Sequence, residues 1–288
     1  MDEDIIKRVR KIEIKARGLS QQMFSGEYHS AFKGKGMAFS EVREYQYGDD
    51  VRNIDWNVTA RLAHPYVKIF EEERELTVML VVDVSGSGYF GTHSQFKEDL
   101  AAEVAATLAF SAIANNDKVG VILFSDRIER FIPPKKGRTH ILRIIRELIT
   151  FRPEGRKTDM GLALKYFSNV AKRRCTAFLL SDFLLDPTNW IEEMKMAAGK
   201  HDVVALRLLD RGEQRLANLG LVKFYDPESG DTLWVDTGKK SVRQMADARF
   251  AEHEKKVDKT LQRYGVDIAT LTTGEDFVMP LRNLFARR

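Results

Sequence analysis

The chain has 288 residues, of which 43% are hydrophobic and 31% charged, and its formal net charge is +4. These are ordinary values for a globular protein with enough apolar surface to build a core, and they argue against a globally disordered chain. The charge excess is small and is built from many charges of both signs. It therefore favours a mixed surface over a nucleic-acid-binding one.

Cysteine usage and the amino-terminal residues bear on the compartment. Cys175 is the only cysteine, so no intrachain disulfide can form, and its place before an apolar run is typical of a small buried side chain. No apolar signal region follows Met1. The longest apolar run, Leu76 to Val84, is far shorter than the roughly twenty residues of a membrane-spanning helix. We therefore expect a soluble, cytoplasmic protein.

The first 75 residues predict a helix followed by an irregular segment. Ile5, Val9, Ile12 and Ala16 recur at helical spacing and predict an amphipathic helix. Between residues 18 and 75, glycine, aromatic and charged residues interleave without a period, which indicates loop-like chain with short ordered pieces. We expect residues 1–75 to pack on a main domain of residues 76–288. The apolar anchors of this packing would be aromatic: Phe39, Tyr45, Trp56 and Phe70.

Residues 76–288 alternate between strand and helix patterns. The continuous apolar run from Leu76 to Asp83 is typical of a strand buried on both faces. Similar runs predict strands that begin near Lys118, Thr176, Val203 and Val266, with a short edge strand at Ile128 to Ile132 before Pro133-Pro134. Helical patterns at 96–108, 139–150, 159–172, 189–198 and 277–285 separate or follow these runs. The alternation predicts a Rossmann-like α/β fold with a mostly parallel central sheet and helices on both faces.

One predicted hairpin interrupts this alternation, as an insertion near residues 212–240. Leu221 to Tyr225 and Thr232 to Val235 have strand composition, and the turn-forming residues 226–231 lie between them. A long helix is predicted from Val242 to Tyr264.

Polar side chains stand where predicted strands end. The first strand ends in Asp83, and Ser85 and Ser87 follow at alternating positions in a glycine-containing loop. Asp182 follows the strand that begins at Thr176, and Thr158 precedes a predicted helix. Because ligands of a doubly wound sheet bind at the carboxyl ends of its strands, we expect these side chains to converge. Their oxygens suit Mg²⁺, or Mn²⁺ or Ca²⁺, better than zinc.

This pattern resembles the metal-ion-dependent adhesion site (MIDAS) of von Willebrand factor type A domains. Asp-x-Ser-x-Ser at Asp83, a later threonine at Thr158 and Ser-Asp ending in Asp182 occur in the order of that site. The resemblance implies that a divalent cation at the site binds a carboxylate of another protein. The alternative is that the Ser and Thr side chains cap helices and that Asp182 is an ordinary residue at the end of a strand.

The segment before the first strand resembles a bacterial family called "domain of unknown function fifty-eight". The resemblance runs from Ser25 to Ser87 and continues more loosely to about Asp182. It is carried by Ser25-Gly-Glu-Tyr-His-Ser30, Gly34-Lys-Gly36, Phe39-Ser-Glu-Val-Arg43-Glu-Tyr45, Gly48-Asp-Asp-Val-Arg52-Asn-Ile-Asp55-Trp56, Ala60-Arg61, Val67-Lys68 and Glu71 to Glu75. The resemblance implies a von Willebrand factor A-like fold and a partnership with MoxR-type AAA+ ATPases.

These observations favour a non-enzymatic interaction module that works with a MoxR-type AAA+ ATPase on a client protein offering an Asp or Glu. Two other classes stay open. A metal-assisted hydrolase would need a general base near the cation, and His93 and His140 have no supporting pattern. A nucleic-acid adaptor would show affinity that falls steeply with salt.

Two further segments have competing interpretations. Between Gly48 and Arg61, the acids Asp49, Asp50 and Asp55 could form a second site. A structural role is favoured, in which Trp56 anchors the segment on the α/β domain while Arg52 and Arg61 pair with carboxylates. The sequence Lys33-Gly-Lys-Gly36 suggests a phosphate cradle. It lacks the preceding strand and the Gly-Lys-Ser/Thr ending that such a cradle needs.

Overall fold

The computed structural model describes residues 2–24, 38–71, 76–91, 95–225 and 230–288. The chain divides into two compact units. One combines Met1–Phe32 with Leu76–Arg288, and the other is Lys33–Glu75. The amino-terminal helix therefore belongs to the α/β unit, whereas the expected packing of Lys33–Glu75 on that unit stays a prediction.

The α/β unit is built on a six-stranded sheet. Its strands are β3 (Thr77–Asp83), β4 (Lys118–Phe124), β5 (Ile128–Lys135), β6 (Thr176–Ser181), β7 (Asp202–Leu209) and β10 (Asp267–Thr272). Their order is β10-β7-β6-β3-β4-β5, and all pairs are parallel except β4 with β5. Numbered along this unit, that is the 3-2-1-4-5-6 order of the Rossmann fold. The predicted fold class is confirmed, with the central strand where the longest apolar run predicts it.

Helices cover both faces of this sheet. They are α1 (Asp2–Phe24), α3 (Lys97–Ala114), α4 (Arg138–Thr150), α5 (Met160–Val170), α6 (Ile191–Lys200), α7 (Arg211–Gln214), α8 (Lys240–Arg263) and α9 (Val278–Ala286). Val78, Leu80 and Val82 of β3 join a core with α1, α3, α4 and α9, while Met79 and Val81 join a second core with α5, α6 and α8. The alternation of side chains along a strand thus builds two hydrophobic layers.

Helix α3 is buried on nearly all sides, because α1 packs over it. Ile12 and Ala16 of α1 lie in the core that contains α3. Two ion pairs join the helices, Arg8 to Asp99 at 2.7 Å and Lys15 to Glu103 at 2.6 Å. No helix in the described parts of the chain is both long and apolar enough to cross a membrane.

The edge strand β5 is longer than predicted. The expected stop before Pro133 is wrong, because the strand continues through both prolines to Lys135. A shift in register falls between the pairs Val119 with Lys135 and Val121 with Ile132, which places a bulge opposite Gly120. A Cβ on Gly120 would meet Met79 Sδ at 2.8 Å and the Ile132 carbonyl oxygen at 3.0 Å. Prolines are tolerated in such bulges of edge strands, where the ladder is already interrupted.

The predicted hairpin is present as strands β8 (Leu221–Tyr225) and β9 (Thr232–Asp236), which pair antiparallel. Most of its expected turn, residues 226–229, lies outside the described residues. The predicted long helix is α8, which begins at Lys240 rather than Val242.

The expectation of loop-like chain with short ordered pieces from Gly18 to Glu75 is wrong at its start, while short ordered pieces are present further along the chain. Helix α1 continues through Gly18 to Phe24. A Cβ added at Gly18 would meet no heavy atom within 4 Å. In the Lys33–Glu75 unit, β1 (Ala38–Glu44) pairs antiparallel with β2 (Tyr66–Glu71), and α2 (Trp56–Leu62) lies between them. A bulge between Phe39 and Glu41 breaks the alternation that reveals a strand in sequence.

Candidate metal-binding cleft

The cleft lies where the strand order of the sheet reverses. Strand β3 has β4 on one side and β6 on the other, and the three run parallel, so their carboxyl ends meet at one edge. Asp83 is the last residue of β3, and Asp182 follows the last residue of β6. In open α/β sheets this reversal point is where ligands bind.

The Asp83 carboxylate is held by two hydrogen bonds. Its Oδ1 accepts the Ser85 backbone N–H at 3.0 Å, and its Oδ2 accepts the Ser181 hydroxyl at 2.8 Å. Burial of the carboxylate, followed by the nearby negative charge of Asp182, raises the pKa of Asp83 to about 7, against the hydrogen bonds that lower it. Its negative charge is therefore poorly compensated.

The two serines of the motif lie side by side. Ser85 is buried and precedes a single turn of 3₁₀ helix, Gly86–Tyr89, which carries Ser87. Their hydroxyl oxygens are 3.1 Å apart, and either can donate to the other. The turn is tied to a neighbouring loop, because the Gly86 N–H donates to the Arg156 carbonyl at 2.9 Å.

The loop that carries Thr158 is fixed by contacts at its two ends. Glu129 Oε1 accepts the Ser125 hydroxyl at 2.7 Å and the Gly155 N–H at 2.8 Å. At the other end the Asp159 N–H donates to the Ser125 carbonyl at 2.9 Å. Thr158 is half-buried and lies two residues from Arg156, but it does not line the cleft with Asp83 and Asp182.

Asp182 is engaged by a lysine that the sequence analysis did not single out. Lys97 Nζ donates to Asp182 Oδ2 at 2.9 Å and to Glu213 Oε1 at 2.6 Å, and its side chain is only 2% exposed. Burial lowers the pKa of Lys97, but the two carboxylates outweigh it and the pKa is raised, so the ammonium stays charged. Burial also raises the pKa of Glu213, against the attraction of Lys97.

A signal for Lys97 exists in the sequence. Leu100, Val104 and Leu108 mark the apolar face of α3, and Lys97 precedes them by three, seven and eleven residues on that same face. A lysine in this position must reach a buried partner, because an unpaired buried ammonium is strongly destabilising. Its partner Glu213 lies 116 residues away in α7, and local pattern gives no sign of that contact.

The open cleft brings three of the predicted site residues together with others. Its lining residues are Asp83, Ser87, Gly88, Lys97, Glu98, Ser181, Asp182 and Leu208. Ser85 lines an adjoining recess that also includes Asp83 and Glu98. Of the five predicted ligands, four therefore border one continuous region, and Thr158 lies in the loop beside it.

Comparison with known proteins identifies the family. A model described as "Protein of unknown function DUF58" matches residues 41–256. Uncharacterized proteins of Mycobacterium tuberculosis and Mycobacterium bovis are 31% identical over 289 residues, which span this whole chain and 90% of each relative. The chain belongs to the DUF58 family.

Solved structures similar to this DUF58 chain have low sequence identity. One is an aerotolerance-related membrane protein from Bacteroides fragilis, with 14% identity, a TM-score of 0.49, and coverage of 74% of this chain and 97% of that one. Another is a von Willebrand factor type A protein from Catenulispora acidiphila, with 12% identity, a TM-score of 0.41, and coverage of 77% and 43%. The predicted family is confirmed.

The donor groups of the DUF58 cleft fit a hard divalent cation. They are carboxylate and hydroxyl oxygens, the ligands that Mg²⁺ prefers. Among the described residues, no Lys or Arg forms an ion pair with Asp83, and its raised pKa marks a charge that a cation would neutralise. No three His, Cys, Asp or Glu side chains gather at one point in the part of the chain that the structure describes, so such a site would depend on its hydroxyls.

The other candidate residues lie elsewhere or have structural partners. His140 Nε2 contacts the Val119 carbonyl at 2.9 Å, near the amino end of β4 and at the opposite edge of the sheet from the cleft. His93 and the Lys33-Gly-Lys-Gly36 segment lie outside the described residues.

The acidic residues between Gly48 and Arg61 serve the local structure of the Lys33–Glu75 unit. Asp49 pairs with Arg43 at 2.7 Å, and this hydrogen-bonded pair lowers the pKa of the Asp49 carboxyl. Asp50 and Asp55 accept backbone N–H groups at the starts of a 3₁₀ turn and of α2. Lys68 also lies 3.4 Å from Asp55. Among the described residues, the cations paired with these carboxylates are therefore Arg43 and Lys68 rather than Arg52 and Arg61. The Trp56 side chain is 69% exposed.

Proposed function

We propose that this protein is a metal-dependent interaction module whose cleft binds a carboxylate of a partner protein. The observation that carries the proposal is the position of Asp83, Ser87 and Asp182 on one cleft at the reversal point of the sheet. Asp83 would anchor the cation, Ser85 and Ser87 would supply hydroxyl oxygens, and Thr158 and Asp182 would complete the set from neighbouring loops. Mg²⁺ held there would offer an open coordination position to an Asp or Glu.

The protein's own residues would keep this site receptive to an anion. Serine and threonine hydroxyls add no negative charge, and the charge of Asp182 is already shared with Lys97. The Ser181 hydroxyl and the Ser85 N–H hold both oxygens of Asp83 in fixed directions. Such a pre-oriented set loses little freedom on binding, which favours recognition of one kind of group.

The partner we propose is a MoxR-type AAA+ ATPase, with an unidentified client protein. This part of the proposal rests on family resemblance alone, and resemblance in fold does not supply function. The role would be that of an adaptor or co-chaperone rather than of an enzyme.

Calorimetric titration with Mn²⁺ tests the site, on the wild type and on Asp83→Ala. Glu192→Ala is the matched control, because Glu192 is an exposed acid on α6 that does not line the cleft. We expect the control to bind like the wild type and Asp83→Ala to lose binding, with its circular dichroism unchanged. Equal Mn²⁺ binding by Asp83→Ala would overturn the metal site.

A pull-down of a MoxR-type ATPase from the same organism tests the partner. Capture in Mg²⁺ that disappears in chelator and in Asp83→Ala supports the module. Capture that is unchanged in chelator and in Asp83→Ala would reject the metal bridge. Metal-dependent turnover of a phosphoester, lost in Asp83→Ala, would instead support a hydrolase.

A further inference from the structure

Asp182 carries hydrogen bonds on both carboxylate oxygens. Its Oδ1 accepts the Leu184 N–H at 3.2 Å, and its Oδ2 accepts the Lys97 ammonium at 2.9 Å. The same carboxylate lines the cleft beside Asp83. A cation in the cleft would therefore meet a ligand that already has a partner.

Lys97 has a second carboxylate within reach. Glu213 Oε1 lies 2.6 Å from its ammonium, closer than Asp182 does. Glu213 is itself fixed, because its Oε2 accepts the Asp210 N–H at 3.1 Å in the capping box of α7. If Asp182 turned towards a cation, Lys97 would still be paired with Glu213, and its buried ammonium would not be left without a counter-charge.

We propose that Lys97 competes with the divalent cation for the Asp182 carboxylate, with Glu213 as the alternative partner of the ammonium. The inference rests on the proposed function, since it requires a cation at the site. Lys97 is a positioning residue under this proposal. In the metal-free protein, its positive charge offsets the charges of the carboxylates that it contacts. It also keeps the metal affinity below the value that the carboxylates alone would give.

The test compares Mn²⁺ dissociation constants of the full chain, measured by water-proton relaxation. Lys97→Met keeps an unbranched apolar stem of similar length and removes the charge. We expect about tenfold tighter Mn²⁺ binding, the size expected for groups in direct contact. A purely structural role would give weaker binding or none, so tighter binding would show that the Lys97 charge opposes the cation.

A double-mutant cycle separates competition from the general field of a lysine charge. In an Asp182→Asn background, Lys97→Met should change the Mn²⁺ dissociation constant less than twofold, because the contested group is gone. The same tenfold gain in both backgrounds would show that Lys97 acts through space, and it would overturn the proposal. An unchanged dissociation constant in Lys97→Met would overturn it too.

Glu213→Gln gives a second measurement that does not depend on the folding of Lys97→Met. Without its other charged partner, Lys97 should hold Asp182 more firmly, and Mn²⁺ binding should weaken about threefold. Unchanged or tighter binding contradicts the proposal. Absence of Mn²⁺ binding in the wild type would instead reject the proposed function, and the two failures are therefore distinguishable.

Discussion

Replacing Asp83 with Asn should stabilise the metal-free protein at alkaline pH. The pKa of this carboxyl rises from its ordinary value of 3.8 to about 7 on folding. Its stabilising contribution is therefore present below about pH 4 and is lost as the pH rises through 7. The difference in pKa corresponds to about 4 kcal/mol of unfolding free energy. Asparagine keeps the shape, since its Oδ1 can accept from Ser85 while its Nδ2 donates to the rotated hydroxyl of Ser181.

The assay is urea unfolding in chelator at pH 5 and pH 8, followed by circular dichroism. The unfolding free energy of Asp83→Asn should exceed that of the wild type at pH 8 by up to about 4 kcal/mol, and by less at pH 5. Added Mn²⁺ should stabilise the wild type and leave the variant unchanged. Glu192→Gln, an exposed carboxylate turned to amide, should shift stability by under about 0.5 kcal/mol at both values. A variant less stable than the wild type at pH 8 would refute the reasoning.

Three further substitutions probe the surroundings of the cleft and the core. Gly155→Ala places a Cβ 2.2 Å from Oγ and 3.0 Å from Cβ of the buried Ser125, so the loop must shift. We expect about 1–3 kcal/mol of destabilisation and weaker Mn²⁺ binding. Its control, Gly199→Ala, meets open space on a helix and should stabilise by about 0.5–1 kcal/mol in the same urea titration. Burial lowers the pKa of His201, so the unfolding free energy of the wild type should decrease as the pH falls below about 6.5. In urea titrations at a series of pH values, His201→Gln should show a smaller decrease. Trp190 is fully buried, and Trp190→Ala should cost about 3–5 kcal/mol in urea, more than Trp190→Phe.

Strands of the central sheet were predictable because they consist almost entirely of apolar residues. The run ending in Asp83 is apolar throughout, and a strand buried on both faces requires that composition. The ends of these strands in turn located Asp83 and Asp182. Strand β1 could not be recognised in the same way, because charged residues and a bulge remove the period-two pattern.

The electrostatic setting of the site depends on contacts that are distant in sequence. Lys97 was visible as a lysine on an apolar helix face, yet its partners are 85 and 116 residues away. Ser181 stands in the predicted motif beside Asp182, but its hydrogen bond to Asp83 follows only from the pairing of β3 with β6. Residue type and spacing indicated which oxygens could be ligands, while the tertiary fold decides which of them already carry a partner.

The bulge of Pro133-Pro134 opposite Gly120 affects whether copies of this chain can associate through the β5 edge of the sheet. An exposed strand edge is a template on which a second chain can add its own strand, and this is a common first step in aggregation. Two adjacent prolines remove two backbone donors from β5, and the bulge twists what is left out of a regular ladder. Growth of the sheet beyond the proline end of β5 is therefore opposed by the backbone itself.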